Sequence, residues 1–162
     1  MVGIGYDIHR LVPNRRLFLG GILIDYPKGL LGHSDGDVLI HAICDALLGA
    51  ANLGDIGMHF PPTDERYRDM ASVKILQAVC KFLVDACFQV EQIDTVVVAE
   101  EPKILPHIEN MKKVIANTIG ISEHAISIKG KTNEGLGEIG SGQAIAAWAV
   151  CELGRIYATP QR

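Results

Sequence analysis

The chain has 162 residues, 48% hydrophobic and 21% charged, which supplies enough apolar material for one buried core and excludes a disordered chain. A formal net charge of −4 provides no basic field for nucleic acid, and no apolar run approaches the roughly 20 residues needed to cross a bilayer. Its four cysteines (Cys44, Cys80, Cys87, Cys151) lie in apolar runs without CxxC spacing, as expected of reduced core thiols in the cytoplasm.

Met1–His9 passes into a strand-like run with no cationic lead, so no signal peptide is expected. Val2–His9 reads as a strand, and Arg16–Asp25 as a second that Gly20-Gly21 interrupts with a bulge or tight bend. Lys28–Gly36 is a glycine-punctuated loop, and Asp37–Asn52 a helix of good formers without proline. Asn52–Asp69 carries Gly54, Gly57, Pro61 and Pro62 and reads as a long loop of the kind that is usually functional. A second helix spans about Met70–Gln89, with an apolar stripe of Val73, Leu76, Val79, Leu83 and Ala86. Thr95–Ala99 is a short strand, His107–Ile119 a helix stopped by Gly120, and Ala125–Lys131 a strand. In Gln143–Leu153 the alanines favour helix, whereas Ile145, Trp148 and Val150 suit a strand. The sum is a single α+β domain over 1–162, with helices on one face of a mixed four-stranded sheet.

Asp7-Ile8-His9 carries the first chemical signal. Residues two apart on a strand share a face, so Asp7 and His9 project together while Ile8 is expected to face the core. A chance Asp-x-His at a strand end is the competing account. His41 lies in an otherwise apolar helix, on a stripe with Asp37 and Asp45. It is either a core histidine bonded to one of those aspartates or a metal ligand with one of them behind it. Two histidines and one aspartate match the donor set of a catalytic zinc site with an open fourth position.

His33-Ser34-Asp35-Gly36 precedes this helix. Ser34 or Asp35 can cap it, and free N–H groups there attract phosphate oxygens, with His33 as a further donor. Asp55-Ile56-Gly57 offers a carboxylate where glycine permits close approach of a ligand hydroxyl. Lys131-Thr132-Asn133-Glu134 leaves a strand end for a glycine-rich stretch. It is a solvated turn or a phosphate site whose Glu134 suits magnesium or manganese.

The stretches GYDIHR, FLGGILIDYPKGLLGHSDGDVLIHAICDALLGA, LGDIGMHFPPTD, AEEPKILPHI and KTNEGLG run in one order over nearly the whole chain. Together they resemble the 2-C-methyl-D-erythritol 2,4-cyclodiphosphate synthase family of the non-mevalonate isoprenoid route. The resemblance implies a homotrimer with active sites between subunits, and makes the last segment a strand. It also implies cyclisation of 4-diphosphocytidyl-2-C-methyl-D-erythritol 2-phosphate with release of CMP. Asp7, His9 and His41 would bind Zn2+, and Glu134 a Mg2+ or Mn2+ on the diphosphate. His33 and Thr132 would stabilise the transition state, with Ser34 also on phosphate. Asp55, Ile56 and Gly57 would line the polyol region. Ala99, Pro102, Lys103, Ile104 and Leu105 would form the cytosine pocket, and Lys131 and Asn133 would complete the substrate contacts.

One region departs from the family pattern. Many members carry a lysine, a phenylalanine and an arginine where this chain has Gly135, Glu138 and Ser141. In that family the phenylalanine and arginine line a cavity on the trimer axis, so Glu138 and Ser141 in their places imply that no polyprenyl diphosphate binds there. The competing functions are a zinc-dependent phosphohydrolase of nucleotide diphosphates and a non-catalytic trimeric module binding metal and nucleotide.

Overall fold

The computed structural model describes residues 1–157. Strand β1 (Val2–Pro13) is followed by two three-residue strands, β2 (Leu17–Leu19) and β3 (Ile22–Ile24), and then by β4 (Lys28–Leu30). Helix α1 (Val38–Ala50) leads through the one-turn α2 (Ile56–His59) and a 3-10 turn at Glu65–Tyr67 to α3 (Ser72–Asp85). Then come β5 (Phe88–Val98), α4 (Ile108–Ile119), β6 (Ile126–Lys131), the one-turn α5 (Gly137–Gly140) and β7 (Ala144–Arg155).

The main sheet has five strands in the order β4-β1-β7-β5-β6, and β2-β3 forms a separate hairpin. Only β5-β6 is parallel; β4-β1, β1-β7 and β7-β5 are antiparallel. The expected sheet of four strands is therefore corrected to five. Arg16–Asp25 drops out of it, the ambiguous last segment joins it as β7, and so does Lys28–Leu30, expected as a loop. Strand β4 pairs Leu11 with Leu30 across a long separation, and three residues with a central glycine carry no local strand pattern. The expected strand Arg16–Asp25 is instead a hairpin. Gly20 and Gly21 have φ of 61° and 78°, the two left-handed positions of a tight hairpin turn. The alanine-rich final segment is a strand because it is buried between β1 and β5, where small side chains admit helices above the sheet. Asn52–Asp69 contains α2 and the 3-10 turn rather than loop alone.

Helices cover one face of this sheet. Gly3 and Gly5 of β1 lie directly under α1: a Cβ on Gly3 would meet Ala50 N at 2.5 Å, and one on Gly5 would meet Ala46 N at 2.8 Å and Ala42 C at 2.9 Å. Ala42, Ala46 and Ala50 recur every four residues, so the helix presents a flat small-residue stripe to a strand with no side chains there. Continuing along the same face, β1 offers Asp7 and His9 just where α1 offers His41. The glycines thus set the distance across which the site forms.

The opposite face carries Val2, Ile4, Tyr6, Ile8, Trp148 and Val150, all exposed, with Tyr6 and Trp148 ring centroids 4.7 Å apart. Ile8, expected in the core, is 43% exposed. The side chains of β1 alternate as expected, but the covered face is the glycine and polar one. The cysteines are free; Cys44 and Cys151 are buried, while Cys87 is exposed, contrary to a core position.

Candidate active site

Asp7, His9 and His41 converge. His9 Nε2 and His41 Nδ1 each lie 2.9 Å from Asp7 Oδ2, and the two ring nitrogens are 3.3 Å apart. Ligands held 2.0–2.1 Å from a tetrahedral zinc sit about 3.3 Å from one another, so these three atoms fit a common ion with little movement. His9 Nδ1 lies 2.6 Å from the Leu31 carbonyl. It donates its proton there, so Nε2 has a lone pair for an ion once the proton it shares with Asp7 has left. Burial raises the Asp7 pKa, but hydrogen bonds from His41 and His9 and their charges outweigh it and hold Asp7 at about 2. Burial lowers that of His9, yet the hydrogen bond and charge of Asp7 prevail and raise it above the ordinary imidazole value. An anionic carboxylate that readily attracts positive charge is what a cation site requires.

His41 is 6% exposed. Its Nε2 faces Ser72 Oγ at 2.9 Å and Ser34 Oγ at 3.1 Å. Neither aspartate of its stripe takes that role, which corrects the expectation that Asp37 or Asp45 would. Asp37 caps α1 through Ile40 N–H and accepts the Gly20 and Gly21 N–H groups of the hairpin turn, at 3.1, 2.9 and 2.6 Å. It, rather than Ser34 or Asp35, is the N-cap. Asp45 accepts Ile56 N–H at 2.8 Å and so ties the Asp55-Ile56-Gly57 turn to α1. Asp55 itself caps α2 through Met58 N–H at 2.9 Å.

These residues border a cavity of about 290 Å³ lined by Asp7, His9, His33, Ser34, His41, Ile56 and Gly57. Pro62 of the expected functional loop completes its wall with Phe60, Tyr67 and Ile75, whose only signal in the sequence is the aromatic pair inside that loop. His33 Nε2 lies 3.4 Å from the Asp64 carbonyl across this loop. Arg15 was also missed. Its Nε and Nη2 donate to the Leu30, Gly32 and Ser34 carbonyls at 2.6, 3.2 and 2.8 Å. One guanidinium thereby draws three carbonyl oxygens of the His33-Ser34 loop to itself.

A second cavity of about 220 Å³ is lined by Ala99, Lys103, Ile104, Leu105, Lys131 and Thr132, with Ile108 and Gly130. No residue borders both cavities. Pro102 is half-buried in the segment leading to Lys103. Glu100, within the same Ala99–Leu105 stretch, accepts the Asn133 and Gly135 N–H groups at 2.8 and 3.1 Å and shapes the turn after β6. There Thr132 Oγ1 donates to Glu134 Oε1 at 3.2 Å, and Asn133 Nδ2 donates to the Leu136 carbonyl at 2.7 Å. Glu134 is exposed and adopts φ 52°.

Comparison with known proteins agrees with this geometry. The YgbB family matches residues 1–154. A 2-C-methyl-D-erythritol 2,4-cyclodiphosphate synthase of Lachnospira eligens is 50% identical over 155 residues, covering 96% of this chain and 85% of that one. The structure of the bifunctional IspDF from Campylobacter jejuni aligns with a TM-score of 0.92 at 37% identity, covering 96% of this chain and 42% of that longer one. The CDP-bound form of a 2C-methyl-D-erythritol-2,4-cyclodiphosphate synthase aligns at 0.88 and 36% identity, covering 95% and 100%. The chain therefore belongs to the YgbB family of enzymes, that of the 2-C-methyl-D-erythritol 2,4-cyclodiphosphate synthases.

Proposed function

We propose that this enzyme cyclises 4-diphosphocytidyl-2-C-methyl-D-erythritol 2-phosphate to 2-C-methyl-D-erythritol 2,4-cyclodiphosphate with release of CMP, as a cytoplasmic phosphorus–oxygen lyase of the non-mevalonate route. The observation that carries this reading is the convergence of Asp7, His9 and His41 in one cavity with His33 and Ser34, in a chain of that family. An oxygen of the 2-phosphate attacks the phosphorus adjoining the methylerythritol; the bond to the CMP phosphate breaks, and CMP leaves with the electron pair.

The attacking phosphate is already an anion at neutral pH, so no side chain need act as nucleophile or strong base. The protein's work is positioning and charge neutralisation. Asp7, His9 and His41 would hold Zn2+, which would withdraw charge from the reacting phosphate oxygens. His33 donates toward those oxygens and Ser34 adds a hydroxyl, while the Arg15-bound loop keeps both at the cavity wall. Asp55, Ile56 and Gly57 receive the polyol under the Phe60–Tyr67 loop. Ala99, Pro102, Lys103, Ile104 and Leu105 take the cytosine; Lys131, Thr132 and Asn133 take the diphosphate joined to the nucleoside, where Thr132 stabilises the transition state. Glu134 would hold Mg2+ or Mn2+ on the diphosphate; a single exposed carboxylate suits an ion that keeps waters and shares substrate oxygens.

The metal cavity belongs to β1 and α1, and the nucleotide pocket to β5 and β6, with β7 between the two pairs of elements. A homotrimer reconciles them. The open face of exposed apolar side chains (Val2, Ile4, Tyr6, Ile8, Trp148, Val150) is the surface such an assembly would bury, and neighbouring copies would join one subunit's metal to another's nucleotide pocket. Glu138, exposed in α5 with Ser141 donating to its carbonyl, leaves the axis without a cation for a polyprenyl diphosphate.

Incubation with the cytidyl substrate, followed by phosphorus NMR, tests the proposal. Cyclic diphosphate and CMP in equal amounts are expected. Linear hydrolysis products would identify a phosphohydrolase, and unchanged substrate a non-catalytic module.

A further inference from the structure

Behind His41, on the side away from Asp7 and His9, a short hydrogen-bonded chain runs through two residues to which the reaction gives no role. Ser72 Oγ bonds to Asp35 Oδ1 and also faces His41 Nε2 at 2.9 Å. We propose that Asp35 and Ser72 are positioning residues that fix which ring nitrogen His41 turns to the metal. The inference rests on the reading of Asp7, His9 and His41 as one metal site.

The argument follows the protons. A carboxylate has none to give, so Ser72 donates its only hydroxyl proton to Asp35. Its oxygen can then act toward His41 only as an acceptor. Nε2 must carry the ring proton, and in the neutral ring the lone pair falls on Nδ1, the nitrogen that lies 2.9 Å from Asp7 Oδ2 and 3.3 Å from His9 Nε2. Ser34 Oγ, 3.1 Å from the same Nε2, accepts Gly36 N–H at 3.3 Å, so its own proton remains free for a phosphate oxygen. Ser72 is fully buried and His41 nearly so, leaving little room for water to substitute for the missing partner. His9 has a simpler arrangement, its non-ligating nitrogen donating straight to a carbonyl. For His41 the same constraint is imposed at one remove.

The chain also ties His41 to the segment over the cavity. Asp35 Oδ2 accepts Ser72 N–H at 2.8 Å, Asp35 N–H reaches the Met70 carbonyl at 3.2 Å, and Asp69 N–H reaches the His33 carbonyl at 2.9 Å. Residues 33–35 are thus stitched to 69–72, where the segment over the cavity ends and α3 begins. The placement of that junction decides whether Ser72 stands where His41 needs it.

The test is zinc affinity, read by competition with a fluorescent chelator, for the wild type, Ser72→Ala, Asp35→Asn and His41→Ala. Ser72→Ala keeps the backbone N–H bond to Asp35 and deletes only the bridge. Its zinc affinity is expected to fall about 10- to 100-fold, the usual range for partners behind a ligating histidine, with the thermal midpoint of the metal-free protein unchanged. Asp35→Asn exchanges the acceptor facing Ser72 Oγ for a donor and turns the hydroxyl toward His41 Nε2. It should weaken zinc at least as much, and the Nε2–H resonance of His41 in the zinc form should lose its protection from solvent exchange in both variants. Zinc affinity within about two-fold of wild type in Ser72→Ala would overturn the assignment. So would a loss of affinity matched by an equal fall in metal-free stability in both variants, which is the mark of a merely structural serine. Equal zinc uptake by the wild type and His41→Ala would instead defeat the metal-site reading beneath it.

Discussion

Replacing Gly5 with alanine tests how the metal site is built. A Cβ at this position would stand 2.9 Å from the Ala42 carbonyl carbon and 2.8 Å from Ala46 N, with the Ala42 oxygen closer still. Carbon atoms in contact prefer about 3.5–4.0 Å, so α1 must retreat from β1 by at least roughly 0.6 Å. The obstacle is backbone on both sides, and no side-chain rotation relieves it. Overpacking of this kind costs about 1–3 kcal/mol, against which the reduced freedom of the unfolded chain returns about 0.4–1 kcal/mol. The larger effect falls on chemistry. His41 is one residue from Ala42, and metal ligands tolerate only about 0.2 Å of misplacement. Gly5→Ala should therefore lose zinc affinity far out of proportion to its loss of stability. Gly3→Ala, which presses on the Ala46 carbonyl and on Ala50, one turn farther from His41, should cost similar stability with a smaller effect on zinc. Chelator competition and thermal denaturation measure the two quantities. Wild-type zinc affinity in a folded Gly5→Ala protein would show that the glycines do not set the spacing of the site.

Thr132→Ala should lower turnover with zinc content unchanged, whereas His41→Ala should lose both; equal metal loss in the two variants, read by elemental analysis, would refute the separation of roles. Ile8→Asp or Trp148→Asp, on the open sheet face, should give monomers by sedimentation velocity that retain zinc and lack activity, and an active monomer would dismiss the shared site. Zinc affinity should also depend on pH. The raised His9 pKa means that a bound proton must leave before zinc binds, so affinity should tighten as pH rises through that value and then level off. In the metal-free protein the same pair stabilises the fold with the opposite sense: the His9 contribution is lost as pH rises through its raised pKa, and that of Asp7 as pH falls toward about 2.

Much of this site was legible because its signals are periodic. Asp7 and His9 share a face by the two-residue repeat of a strand, and the Asp37-His41-Asp45 stripe follows the helical repeat. Periodicity gives the face of an element without saying which face is covered. On β1 the apolar set is the open one, and the covered set includes glycines, whose close approach to α1 has no hydropathic signature. Nor does spacing give side-chain direction. Asp37 stands in line with His41, yet as the N-cap it turns toward the Gly20-Gly21 hairpin and the free N–H groups of α1. Ser72, the true partner, lies 31 residues from His41 at the start of another helix, where a serine ordinarily signals capping alone. Strand β4 was hidden for a related reason, since its three residues are ordered by pairing with Leu11–Pro13 rather than by their own propensity.

The division of the site follows from the same sheet. On the face under α1, β7 presents the buried Ala147 and Ala149 opposite Asp7 and Gly5, so α1 can settle low over β1 and β7 and bring His41 down to the strand. That arrangement consumes the helix-covered face near β1 for metal chemistry. It leaves the turn after β6, with Thr132 and Glu134, at the edge of the sheet farthest in strand order from β1. A phosphate anhydride must meet both sets of groups at once for in-line transfer. Closing the gap within one chain would require the sheet to fold across its own width, which its pairing forbids. Burying the open Tyr6–Trp148 face against other copies, as the proposed trimer would, needs no rearrangement of the strands; it would remove exposed apolar surface and bring a second chain's turn toward Asp7, His9 and His41. In the proposed trimer, the contact that covers this apolar face would also be the one that completes the active site.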